Sequence, residues 1–349
     1  MNENLRAVRK WLLTMLLAMG IGALFILLIS ENPIDAYAAL FKGAFNGKLK
    51  FGTTLASFTP LLITSTAFAI AAKAGAFNVG VEGEVFLGGI TAAYIGINWT
   101  FLPDPILLVA CFLGAMIVGA AWAFIPGALK AYFDVNEVCV TILMNSVALY
   151  ITSYLVSGPM SAGVANAQSD PVTVNLYQFL KPSSANTGLF IAIAAVIFII
   201  WMLKKTTFGY KIRTVGTNPA HAEYVGINPK KVFIQTMMIS GALGGMAGCI
   251  EVLGVHGYFL NNFATGLGSN GMLAALIVKS DVVLAPFMAF FLAILKSGAM
   301  GMQQSTGVPK SIVDTITAVF IIIATMELLF QFTGSKKRKK KAEKSAEEE

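Results

Sequence analysis

The sequence predicts an all-α, polytopic integral membrane protein with about ten transmembrane or re-entrant helices, and three observations carry that reading. Of its 349 residues 56% are hydrophobic and only 12% charged, where soluble domains carry about 25% charged residues. The mean hydropathy is +0.73. Apolar runs close to the ~20 residues that cross a bilayer core recur along almost the whole chain. No stretch of ordinary soluble composition is long enough for a separate domain. Residues 11–332 therefore read as a single transmembrane domain, flanked by a short N-terminus, 1–10, and a polar tail, 333–349.

In chain order the apolar segments are 11–30, 54–73, 80–97, 106–125, 138–157, 189–203, 232–252, 271–280, 283–298 and 312–332. The run at 271–280 is too short to span alone; it either extends back toward Gly266 or forms half of a re-entrant pair. An Ala-Tyr-Ala at 36–38 resembles a signal-peptide cleavage site, but it lies well beyond an apolar run longer than the usual h-region of about 7–15 residues. The first segment is read as an uncleaved helix.

Orientation follows lysine and arginine in short loops. Arg6, Arg9 and Lys10 precede the first segment, and Lys336 to Lys341 follow the last, which places both termini in the cytoplasm. The loop 204–231, with Lys204, Lys205, Lys211, Arg213, Lys230 and Lys231, falls on the same side. Residues 31–53 should be external, yet they carry Lys42, Lys48 and Lys50, against the rule. The tail 333–349, a basic block followed by three glutamates, is expected to be disordered, its basic part open to anionic lipid headgroups.

Several classes of chemistry are excluded. The net charge of +7 resides mostly in termini and loops, as topology requires, so nucleic-acid binding is not indicated. "GAFNGKL" at 43–49 is one residue short of a phosphate-binding loop and has Leu49 where a magnesium-binding hydroxyl belongs. Neither HExxH nor GxSxG occurs. His221 and His256 are far apart, and Cys111, Cys139 and Cys249 have no metal or redox spacing and read as small buried side chains. No catalytic residue, metal site or resident cofactor is expected, which favours a conduit over an enzyme.

Polar groups in apolar surroundings mark four stretches. "KAGAFNVGVEGEVFLGG", Lys73–Gly89, places Asn78, Glu82 and Glu84 among five glycines, and suits a tight or broken backbone between two helices. "DVNEVCVTILMNSVAL", Asp134–Leu149, has Asn136 and Glu137 before an apolar run and Asn145 within it. Asn145 at membrane depth is either interhelical glue or a group on an aqueous path. "TTFGYKIRTVGTNPAHAEYVGINPKKV", Thr206–Val232, is punctuated by Asn218-Pro219 and Asn228-Pro229, each an N-cap followed by a first-turn proline. Gly226 can end the first of these helices in a left-handed cap. A short helix over about 219–225, bearing His221, Glu223 and Tyr224, follows. "MISGALGGMAGCIEVLG", Met238–Gly254, carries the small residues that let membrane helices pack backbone to backbone, with Glu251 at its interfacial end.

Three of these stretches together resemble the permease subunits of bacterial ABC importers of the ribose and simple-sugar class, a branched-chain amino acid-like superfamily, and specifically its nucleoside branch. Asn78, Gly80, Glu82 and Gly83 match an N-I-G-x-E-G-Q segment, with Val79 for Ile and Glu84 where Gln is common. Asn136, Glu137, Thr141 and Asn145 match V-N-E-V-I-x-T-x-M-L-N. Arg213, Gly216, Asn218, Pro219, Ala220, Tyr224, Gly226 and Ile227 match the segment that docks on the ATPase. A Gly-Arg-Asn-Asn-Pro-like turn of the family is replaced here by "IVKSDVV", Ile277–Val283.

The resemblance implies a permease of the bacterial cell membrane, importing a small neutral solute, a nucleoside by this branch and a simple sugar by the wider class. It implies a second permease, identical or not, a cytoplasmic ABC ATPase that uses ATP, and an extracellular lipid-anchored solute-binding protein. Asn78, Glu82, Asn136, Glu137 and Asn145 become candidates for the solute pathway. Arg213, Gly216, Asn218, Pro219, Ala220, Glu223, Tyr224 and Gly226 become candidates for ATPase coupling. An ATPase-independent secondary transporter or channel is the rival; it commonly needs intramembrane ionisable residues, and here most lie at segment ends.

Overall fold

The computed structural model describes residues 19–24, 26, 27, 32–307, 309, 311–315 and 317–319. Most of the first and last apolar segments, both termini and the charged tail lie outside the described residues. The chain divides into two compact units, residues 1–44 with 295–349, and residues 45–294.

Helices follow one another in this order: α1 Pro33–Phe45, α2 Lys48–Lys73, α3 Val81–Asn98, α4 Asp104–Phe133, α5 Glu137–Ser157, α6 Gly188–Lys205, α7 Thr207–Thr217, α8 Pro219–Tyr224, α9 Pro229–Glu251, α10 Leu267–Ile277 and α11 Ala285–Thr306. A π-turn, Val252–His256, continues α9. Among the described residues there is no named strand, only the isolated bridges Gln168 to Leu260 and Gln178 to Asn186. The all-α expectation holds. Among the described residues six helices (α2, α4, α5, α6, α9 with its π-turn, and α11) are long and apolar enough to cross a membrane. Helix α3 falls short of them because Glu82 and Glu84 occupy its first turn. Helix α10 begins right after Gly266 and rises only about 16 Å, too little to span.

Burial sorts the larger unit into a centre and an outer layer. The apolar windows of α2 and α9 are 78% buried, whereas those of α4 and α5 are 28% and 17% buried. Leu113, Ile117, Leu143 and Tyr154 on the outer helices face outward, as residues facing lipid or another apolar partner do.

Helix α9 is central because its small residues remove the side-chain layer between backbones. A Cβ at Gly241 would overlap the Gly119 carbonyl of α4, one at Gly245 the Ala115 carbonyl, and one at Gly248 the Val85 carbonyl of α3. Dispersion between closely approaching backbones is the main adhesive available where lipid is as apolar as leucine. In the smaller unit the same device seats Gly43 of α1 against Gly298 and Gly301 of α11.

One sequence expectation needs correction. Cys139 is exposed, on the outer face of α5, while Cys111 and Cys249 are buried. Glu251 is buried, 8% exposed, with its carboxylate 3.8 Å from His256 Nε2 across the π-turn. The extra residue in that turn brings the two groups to one side of the helix end.

Gly245→Val is expected to part α9 from α4, at or above the ~1–3 kcal/mol typical of overpacking. A lowered melting midpoint of the full-length protein in detergent, relative to wild type, is the readout.

Candidate functional site

The break between α2 and α3 is built around Asn78, which is fully buried. Gly75, at φ +79°, turns the chain out of α2. The Asn78 side chain then bonds in three directions. Its Nδ2 donates to Glu84 Oε1 and to Ser240 Oγ, both at 2.9 Å, and its Oδ1 accepts from Gly80 N at 2.9 Å. Ser240 Oγ in turn donates to the Ala67 carbonyl at 2.7 Å. One amide thus joins α2, α3 and α9.

Glu84 completes this node. It is 1% exposed, and its second oxygen, Oε2, has no hydrogen-bond partner among the described residues. Gly244 leaves the room for it: a Cβ there would come to 2.5 Å from Oε2. An unpaired buried carboxylate costs far more than an uncharged group of the same shape.

Glu82 faces the other way. Its Oε1 accepts from Gly266 N at 3.0 Å, and its Oε2 accepts from Ser269 Oγ at 2.7 Å and Ser269 N at 3.3 Å. The carboxylate therefore caps α10, where the unsatisfied N–H groups and the helix dipole favour negative charge. Gly268 packs directly on the Glu82 backbone. Helix α10 is held at its start by a residue of α3.

Asn145 clamps the opposite side of the same break. Its Oδ1 accepts from Gly83 N at 2.8 Å, and its Nδ2 donates to the Val79 carbonyl at 2.9 Å. One end of the amide is used on α3's first turn and the other on the break just before it. Asn136 lies elsewhere: it is exposed and N-caps α5, accepting from Val138 N and Cys139 N. Glu137 approaches Lys130 at 3.8 Å, and Lys130 also pairs with Asp134 at 2.8 Å. Of the five pathway candidates, the structure gathers Asn78, Glu82 and Asn145 at one break and leaves Asn136 and Glu137 at the turn between α4 and α5.

The punctuation of 206–232 folds as expected. Asn218 accepts from His221 N at 3.1 Å and starts α8. Gly226, at φ +80°, ends it, with Ile227 N donating back to the Ala222 carbonyl at 2.9 Å. Asn228 accepts from Lys231 N at 3.0 Å and starts α9. Ala222 is fully buried, whereas Tyr224 is 92% exposed. Arg213, Asn218 and His221 border a groove of about 380 Å³ beside α8.

The sequence did not reveal α7, Thr207–Thr217, which precedes α8 and holds Arg213 and Gly216. Thr206 caps it, accepting from Gly209 N at 3.1 Å; that threonine was the available signal. Gly216 touches the last turn of α2 so closely that a Cβ would overlap the Lys73 carbonyl oxygen. Gly209 meets the Met202 and Leu203 carbonyls of α6 in the same way. No group of three or more metal-binding side chains occurs among the described residues.

Two substitutions separate these roles. Glu82→Ala leaves the Gly266 and Ser269 N–H groups without their acceptor, a loss of about 1–3 kcal/mol. Faster hydrogen exchange confined to residues 266–270 is expected. Glu84→Gln keeps the acceptor for Asn78 and removes any charge, so the melting midpoint in detergent is expected to stay level or rise.

Against known proteins, residues 51–330 match the family model described as branched-chain amino acid transport system / permease component. The chain is 33% identical to a guanosine ABC transporter permease protein, NupP, of Bacillus subtilis (strain 168), covering 95% of this chain and 97% of that protein. It is 29% identical to a nucleoside ABC transporter permease protein, NupB, of Lactococcus lactis subsp. cremoris (strain MG1363), covering 99% and 100%. A glucose ABC transporter permease protein, TsgB13, of Haloferax volcanii is 30% identical over 93% of this chain and 90% of its own. With a family model matched over most of its length and relatives aligned nearly end to end, this multi-helix chain belongs to the branched-chain amino acid transport system permease family of ABC importers.

Proposed function

We propose that this permease forms the solute pathway of a nucleoside importer in the bacterial cell membrane, with both termini cytoplasmic and about ten crossing or re-entrant segments. The observation that supports the solute assignment is near full-length similarity to permeases named for guanosine and for nucleosides. A simple-sugar importer is the second reading, favoured by the similarity to the glucose permease.

Energy enters through a separate ABC ATPase, and solute is delivered by an extracellular lipid-anchored binding protein to a pair of permeases. ATPase docking falls to α8, a firmly capped six-residue helix that shows Tyr224 to solvent and hides Ala222. Closure of the ATPase reaches the membrane helices through α7, whose glycines seat it on the ends of α2 and α6. At the break, Asn78, Glu82 and Asn145 spend their polar atoms on backbone and side-chain partners. Their part is to hold the pathway's walls rather than to bind the solute directly.

Glu223→Arg is expected to leave the protein in the membrane and to abolish both ATPase co-purification and uptake. Normal uptake by this variant would remove the docking role of α8. Uptake of labelled guanosine, ribose and glucose by cells expressing the whole transporter decides the solute; guanosine alone is expected. Liposomes holding only the permease should move none of the three, and solute flux there would instead favour a self-sufficient carrier.

A further inference from the structure

A cavity of the 45–294 unit lies at the ends of two membrane helices, α2 and α6, where Arg213 and Gly216 of α7 also line it. Its volume is about 440 Å³, within the ~300–1,000 Å³ of small-ligand sites. Three cations from three separate helices line it: Lys73 at the last turn of α2, Lys204 at the last turn of α6, and Arg213 of α7. None of the three makes an ion pair or a side-chain hydrogen bond among the described residues. The wall also holds one carboxylate, Asp281, whose Oδ1 accepts from Val283 N and Leu284 N at 2.8 and 3.1 Å. With three positive groups against one negative, the cavity is built for an anion.

Its depth says which anion. Lys73 and Lys204 end helices of 26 and 18 residues that are apolar enough to cross the bilayer. Trp201, 53% exposed one turn before Lys204, is of the type that sits at headgroup level. A cavity at the point where two crossing helices leave the hydrocarbon lies beside phosphates.

We propose that this cavity binds the phosphate group of an anionic phospholipid of the inner leaflet. Lys73 and Lys204 approach the phosphate from the membrane helices, and Arg213 closes on it from α7. A bound headgroup then ties α7 to the ends of both helices. The proposal rests on the membrane reading of α2 and α6, and not on which solute is carried.

Native mass spectrometry of the full-length permease, released from nanodiscs of phosphatidylglycerol and phosphatidylcholine, provides the test. Wild type is expected to retain phosphatidylglycerol. Each basic group at an anionic surface is worth about fivefold in affinity, so Lys73→Gln with Lys204→Gln is expected to lower retention roughly 25-fold. The Lys73→Arg, Lys204→Arg pair should restore it, and Lys211→Gln with Lys230→Gln, outside the cavity, should not lower it. Competition by millimolar inorganic phosphate, lost in the Gln pair, would assign the site to a free phosphate group and overturn the lipid source. Unchanged retention in the Gln pair overturns the site altogether. Equal loss in the Lys211, Lys230 control reduces it to surface charge. Loss of ATPase co-purification with lipid retention intact would give the cavity to that partner.

Discussion

The larger unit depends on one buried amide. Asn78 sits where α2 has ended and α3 has not begun, fully buried, so its donors and acceptor rely on neighbouring groups. In such a place each unmet polar group costs about 1–3 kcal/mol, so the arrangement of the neighbours is set by the need to meet them. Ser240 must face the break, which fixes the rotation of α9. Once that rotation is fixed, the glycine face of α9 points at α3 and α4, and the backbones close. The hydrogen bonds give the register, and the small residues supply the area of contact.

A second constraint follows from the same break. Helix α10 is too short to cross a bilayer and begins in the interior of the chain. Its first N–H groups need acceptors, and Glu82 supplies them from across the break. The carboxylate that looks out of place in an apolar sequence meets the start of a helix. Glu84, two residues on, serves the opposite node, and the gap left by Gly244 accepts it. The two acids point in opposite directions because successive helical residues turn by about 100°.

Local grammar was legible in the sequence; long-range partnership was not. Asn218, Gly226 and Asn228 act within three or four residues of themselves, so cap and turn rules place α8 and the start of α9 closely. Six of the ten apolar segments, 54–73, 106–125, 138–157, 189–203, 232–252 and 283–298, fall on helices long enough to span, since bilayer thickness imposes their length. Glu82 was recognisable as anomalous, but its partners lie 184 and 187 residues away, and nothing in its own neighbourhood names them. Helix α7 escaped because its glycines and threonines weaken helical propensity and its reason to be helical is the packing of those glycines on α2 and α6. The π-turn escaped because one extra residue in a helix end leaves no periodic trace, and with it went the burial of Glu251.

The seating of Gly216 on the last carbonyl of α2 has a mechanical meaning. Side chains between two helices act as a cushion, since rotamers can yield before backbones move. Here there is no cushion: α7 bears directly on the peptide chain of α2. Helix α2 is 26 residues long, about 39 Å, with Pro60 near its middle, where the hydrogen-bond ladder loses a donor. A tilt of about 5° carried along its whole length would displace the far end by roughly 3 Å. A larger residue at position 216 would lengthen the joint and change the angle at which α7 meets α2.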